Sequence, residues 1–188
     1  MTTTPARDIA TAAIAEVGSM LDEVPEGRYD SFLDEIVTAK TIVLHGVGRE
    51  GLMIKALAMR LMHLGFDAHV LGDMTAPPVR SGDLLIVSAG PGHFGTIQAL
   101  QEIAKHAGAR NLLVTANPDG ASAALADVVI TLPGPTMSED LQVPVSALLM
   151  GSVFEVIQLF FYDVAIKRLS DRLEQPLEDA RLRHTNLE

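Results

Sequence analysis

Cysteine is absent from this 188-residue chain. A disulfide framework, an iron–sulfur cluster and a thiolate zinc site are thereby excluded. Basic side chains are scarce too: 14 stand against 24 acidic ones, for a net charge of −10. A surface with that balance repels polyanions, so nucleic acid and anionic membrane are excluded as partners. No apolar block behind basic residues opens the chain, so no secretory signal is read and the expected compartment is the cytoplasm. Long hydrophobic runs are limited to one, residues 145–166, and it carries Glu155, Gln158 and Asp163. A carboxylate near the middle of a lone membrane span costs about 3 kcal/mol on insertion scales, and no second span exists to shelter it. The run therefore reads as a helix buried in a core or between subunits.

What is present fits a single domain over residues 1–188, with no internal repeat or low-complexity segment. Residues 1–39 read as a helical pair. Ile9, Ala13, Val17, Met20, Leu21 and Val24 recur at helical spacing, Pro25-Glu26-Gly27 breaks the pattern, and Phe32, Leu33, Ile36 and Val37 resume it. The eight acids and two bases of this stretch read as solvated outer faces of helices that pack their other side. Residues 40–132 change to short aliphatic or β-branched runs at 41–45, 68–71, 84–88, 111–115 and 128–132, ended by glycine or proline. The apolar runs lack polar alternation, as expected of parallel strands covered on both faces. Helices are expected over 50–64, 95–107 and 120–126, with a turn-like link at 72–81, and residues 145–188 supply C-terminal helices and a charged tail. The fold class is α/β: a five-stranded parallel sheet flanked by helices in three layers, flavodoxin-like or Rossmann-like.

In a doubly wound sheet, ligands sit beyond the carboxyl ends of the strands. Two of those exits are glycine-rich. The first strand runs into Gly46-Val47-Gly48-Arg49-Glu50-Gly51, the third into Ser88-Ala89-Gly90-Pro91-Gly92-His93-Phe94-Gly95-Thr96. Glycines there let the backbone turn tightly and aim N–H groups at an anion lying on the next helix N-terminus. The first loop alone matches the dinucleotide fingerprint, with Asp73 spaced to meet a ribose. The second loop, with Ser and Thr hydroxyls near it, counts against a nicotinamide cofactor, because a dinucleotide fold uses one pyrophosphate cradle.

Gly46-Val47-Gly48-Arg49, then Ala58-Met59-Arg60-Leu61-Met62-His63-Leu64-Gly65-Phe66, Gly72-Asp73-Met74-Thr75-Ala76-Pro77 and Gly82-Asp83-Leu84-Leu85-Ile86 resemble the sugar isomerase (SIS) domain family, and within it the 6-phospho-3-hexuloisomerases. Met150-Gly151-Ser152-Val153-Phe154-Glu155 and the closing Arg183-His184-Thr185-Asn186-Leu187-Glu188 are similar to that branch's C-terminal segments. The resemblance covers nearly everything from Thr41 onward. It implies a five-stranded parallel sheet, a homotetramer of paired dimers, no metal and no organic cofactor. The reaction it implies moves a carbonyl along a phosphorylated ketohexose, from hexulose 6-phosphate to fructose 6-phosphate.

The same resemblance exposes two departures. The loop after the third strand, where the family has hydroxyls that hold phosphate, reads Ala89-Gly90-Pro91-Gly92, with Ser88, His93 and Thr96 left to supply polar contacts. Glu50 stands where the family usually has Ser, and a carboxylate there repels a phosphate dianion. Either the substrate sits differently, with Arg49 and His93 as counter-charges, or the chain acts on a different sugar or sugar acid.

Glu155 is the candidate general base, because burial in an apolar helix raises a carboxylate pKa toward the useful range; a plain ion pair with a neighbouring Arg is the alternative. His184 reads by position as part of a solvated tail, whereas the resemblance places it in the site of an adjacent subunit as ring opener or proton relay. His45 and His93 can face the pocket, His63 reads as a core or interface histidine, and His69 and His106 as strand or surface positions. No histidine pair has metal-ligand spacing, so neither metal nor cofactor is expected. The expected substrate-binding residues are Gly46, Gly48, Arg49, Ser88, Gly90, Gly92, His93 and Thr96, and the expected partners are a sugar phosphate and further copies of the chain, as dimer or tetramer. A non-catalytic sugar-phosphate sensor is the rival reading; the Glu155 and His184 matches, and the lack of an attached DNA-binding segment, argue against it.

Overall fold

A computed structural model describes residues 4–139 and 146–187. Two helices, α1 (Ala6–Asp22) and α2 (Glu26–Thr38), lead into β1 (Ile42–Gly46), α3 (Gly48–His63), β2 (Ala68–Val70), β3 (Leu84–Ser88), α4 (Gly95–His106), β4 (Arg110–Thr115) and β5 (Val128–Thr131). The chain closes with α5 (Ser152–Arg172) and α6 (Leu177–Leu182). The five strands are parallel, in the order β2-β1-β3-β4-β5. The chain therefore winds one way from β1 to β2 and the other way from β3 to β5, which puts the topological switch between β1 and β3. The register sets Gly46 opposite Ser88, so both glycine loops leave the sheet side by side at that switch.

Both sheet faces are buried, which accounts for the unalternating strands. Ile42, Leu44, Leu84, Ile86, Leu112, Val114 and Ile130 face a large core with α1, α2, α3 and α5. Val43, Leu85, Val87 and Leu113 face a smaller one closed by Ile97 and Ala104 of α4. The N-terminal pair is fastened by rings: Tyr29 stacks on Phe161 at 4.6 Å, and Phe32 lies 5.3 Å from Phe161 and 5.9 Å from Tyr162.

The structure refines three expectations. The expected helix over 120–126 is one 3-10 turn, Ala123–Leu125, because Gly120 is pressed against Gly92: a Cβ on Gly120 would lie 2.4 Å from the Gly92 carbonyl oxygen. The long apolar helix begins at Ser152, not at residue 145, since Met150 and Gly151 take positive φ values of 56° and 74° that no helix continues through. Val145 itself lies outside the described residues, as does Glu188. The acidic N-terminal faces are paired as well as solvated: Arg168 reaches the exposed Glu26 and Asp30 at 2.6 and 2.8 Å, Arg172 reaches the exposed Asp34 at 2.7 Å, and Arg110 reaches the mostly covered Glu35 at 2.6 Å. Among the described residues no helix is long and apolar enough to cross a membrane.

Candidate active site

The turn from β1 into α3 is closed by two glycines in contact. A Cβ on Gly51 would fall 2.4 Å from the Gly46 carbonyl oxygen, and one on Gly46 would fall 2.9 Å from the Gly51 nitrogen, so neither position admits a side chain. That closeness folds Arg49 and Glu50 back over the strand end. Glu50 belongs to the inward stripe of α3 with Ile54, Leu57 and Leu61, and it is only 7% exposed. Arg49, one position earlier and about 100° around the helix, stays open to solvent over the strand ends.

Glu50 reaches β3. Its carboxylate accepts a hydrogen bond from the Ser88 hydroxyl and others from the Gly90 backbone N–H at 2.9 and 3.1 Å. The loop beyond β3 is itself held by β4, since the Thr115 hydroxyl donates to the Ala89 carbonyl at 2.7 Å and the Ala116 N–H to the Gly90 carbonyl at 3.0 Å. Burial pushes the Glu50 carboxyl above the usual carboxylate range. The bonds from Ser88 and Gly90 offset part of that rise, and the Glu155 charge adds to it.

The third side of the site is the start of α5. Gly151 caps this helix in the left-handed conformation, tightly enough that a Cβ would stand 2.8 Å from the Met137 nitrogen. Glu155 follows in the first turn, 9% exposed. Arg49 Nη1 lies 3.0 Å from Glu155 Oε2 and donates to the Ser152 hydroxyl at 2.7 Å, so one guanidinium spans α3 and α5. Burial raises the Glu155 pKa above its ordinary value and the Arg49 charge acts in the opposite sense. Between these elements lies a cavity of about 110 Å³, lined by Gly48, Arg49, Glu50, Phe94, Thr136, Phe154 and Glu155 among others. Thr136 also borders a polar recess of about 340 Å³ with Asn117 and Ser138. Chemically, the cavity offers two carboxylates with raised pKa and one cation.

Of the residues expected at the site, Gly48, Arg49 and Glu155 line the cavity. Gly46, Ser88 and Gly90 are not in its lining: Gly46 lies opposite Ser88 at the strand ends, and Ser88 and Gly90 touch the cavity only through their hydrogen bonds to Glu50. Gly92 shapes the second loop, with its N–H on the Ala89 carbonyl at 2.8 Å and its carbonyl taking the Ser122 N–H at 3.0 Å. His93 and Thr96 are exposed and outside the lining. His184 is brought not to this cavity but to His63, ring to ring at 5.1 Å, beside Arg183, whose Nη1 donates to the His63 carbonyl at 3.0 Å. His45 is half-buried at the end of β1, where burial lowers its pKa. Among the described residues no three His, Asp or Glu side chains gather as a metal site. What sequence reasoning missed is the burial of Glu50, whose carboxylate is hydrogen-bonded to Ser88 and Gly90 at the edge of the cavity. The signal was in the spacing, since Glu50, Ile54, Leu57 and Leu61 fall on one helical stripe.

With this geometry in view, the family model for the SIS domain matches residues 35–164. A 3-hexulose-6-phosphate isomerase of Mycobacterium gastri is 38% identical over 154 residues, covering 82% of this chain and 77% of that protein. One of Bacillus subtilis is 35% identical, covering 85% and 86%. The crystal structure of a Methanococcus jannaschii protein, from which a 3-hexulose-6-phosphate isomerase function was inferred, superposes with a TM-score of 0.81 at 30% identity, covering 97% of this chain and 98% of that one.

The buried Glu50 makes stability depend on pH with a definite sign. Its folded pKa is raised, so just above the ordinary carboxylate range the native state holds more protons than the unfolded one; its contribution is full at low pH and is lost as pH rises through the folded value. Denaturant titrations of wild type and Glu50→Gln from pH 4 to 8 are expected to show the difference growing in favour of the variant as pH rises. A pH-independent difference would contradict the raised pKa.

Proposed function

The chain belongs to the SIS domain family, and from that premise we propose that it is a sugar-phosphate isomerase of the 3-hexulose-6-phosphate isomerase kind, moving a ketose carbonyl to the neighbouring carbon through a cis-enediol. The observation that carries this reading is Glu155: a buried carboxylate with a raised pKa in the first turn of α5, facing a cavity at the switch point of the sheet with Arg49 at 3.0 Å. Glu155 takes the proton from the carbon beside the carbonyl and returns it to the former carbonyl carbon, while the hydroxyl proton passes to the other oxygen. Arg49 steadies the charge that develops on the enediolate oxygen. Only protons and an electron pair within the sugar move, so the route calls for no redox cofactor.

Assembly follows the same reading. A groove of about 500 Å³ lined by Ala10, Ile14, Val17, Leu21, Leu148 and Phe160 is almost wholly apolar, and Ile14 and Phe160 are 74% and 51% exposed. A second copy covers this face in a dimer or tetramer, and His184 of a neighbour serves as ring opener or proton relay in the cytoplasmic enzyme. Light scattering is expected to report at least a dimer at micromolar concentration; a monomer would remove the role of His184 in a neighbour's site.

Replacing Glu155 separates base from ion pair. Glu155→Gln is expected to lower kcat by roughly a hundredfold to ten-thousandfold with KM little changed. Stability is expected to hold, because the Arg49 side chain is 54% exposed and, left unpaired, is solvated at little cost. Lost stability with turnover per folded molecule intact would leave Glu155 as a structural ion pair.

A further inference from the structure

Glu50 is the buried titratable group that the carbonyl chemistry leaves unused. Its carboxylate lies at the carboxyl end of β3 on the Ser88 hydroxyl and the Gly90 N–H, donors that together make an anion seat. The seat is shaped around this carboxylate: a Cβ on Gly90 would stand 2.9 Å from Glu50 Oε1 and 2.8 Å from the Phe154 ring. Among the described residues the ionisable groups lining the cavity are Arg49, Glu50 and Glu155, and Arg49 is engaged by Glu155. The groups facing Glu50 are Ser88 and Gly90 beyond β3, and Glu155 and the buried Tyr162 of α5, whose own titration feels the Glu50 charge.

We propose that Glu50 is a specificity-determining residue, a tethered anion that fills the donor seat beyond β3, so that the sugar rests there with a neutral, hydroxyl-bearing end and a phosphate group is refused at that seat. The claim rests on the isomerase reading for the identity of the ligand as a sugar, but the refusal is a matter of charge and space alone. A ketose phosphate meets the rule with its phosphate-free end toward β3. An unphosphorylated ketose meets it in either orientation.

Inorganic sulfate tests the seat because it keeps its charge from pH 5 to 8. In calorimetric titrations at pH 8, Glu50→Ser is expected to bind sulfate about tenfold more tightly than wild type or better, one seated anion having been replaced by a hydroxyl. Equal affinity, or a folded Glu50→Ser that binds no sulfate, overturns the proposal. Should Glu50→Ser fail to fold, the nearly isosteric Glu50→Gln is expected to bind sulfate more tightly than wild type at pH 8, because the seated charge is gone while the side chain's shape is kept. Equal sulfate affinity in Glu50→Gln and wild type overturns the proposal. Sulfate binding involves no turnover, so its failure leaves the isomerase reading standing, and failure to isomerise any ketose leaves the seat result standing.

Discussion

The hydrogen bonds from Ser88 and Gly90 to the Glu50 carboxylate tie the start of α3 to the end of β3, and the cavity takes its form from that tie. Glycine contact between positions 46 and 51 brings α3 close enough for the bond to be made, and the bond in turn sets Arg49 over α5. Arg49 then bridges to Ser152 and Glu155. Three elements far apart in sequence are thus fixed by a chain of polar contacts over a sheet whose buried residues are mostly aliphatic. A buried carboxylate is costly unless it is hydrogen-bonded, and here the donors are supplied by a strand end, where backbone N–H groups would otherwise await a ligand.

Those contacts give the two carboxylates different environments in one cavity. Glu155 is held by a half-exposed guanidinium and stands in the first turn of α5. Glu50 is held by a hydroxyl and a backbone amide and lies deeper. Both are raised by burial, and each raises the case for keeping the other apart from dianionic groups. The SIS fold is therefore compatible with a seat that differs in charge from one built of hydroxyls.

Much of this was legible in the sequence, and for physical reasons. Parallel strands buried on both faces leave unbroken aliphatic runs, so the five strands and their order of appearance could be read directly, as could the two glycine exits. The 120–126 segment could not, because the contact of Gly120 with Gly92 that limits it to one turn joins loops distant in sequence. The start of α5 was displaced for a similar reason: Met150 and Gly151 take positive φ values, and Gly151 is pressed against Thr136 and Met137, which are distant in sequence. Glu50 was read through its charge when its place on the stripe with Ile54 and Leu57 was the better guide. His184 lies against His63 in the single chain, a contact that no periodicity in the tail could announce.

The most direct measurement is the fate of hydrogen when the wild-type enzyme converts hexulose 6-phosphate in deuterated water, followed by NMR. Removal and return of a proton by Glu155 predicts deuterium in the product on the carbon that had carried the carbonyl, since a carboxylic acid exchanges with solvent during the life of an enediol. Incorporation and turnover are expected to be lost together in Glu155→Gln, and a Glu155→Gln protein that incorporates deuterium and turns over at the wild-type rate would contradict an enediol route through Glu155.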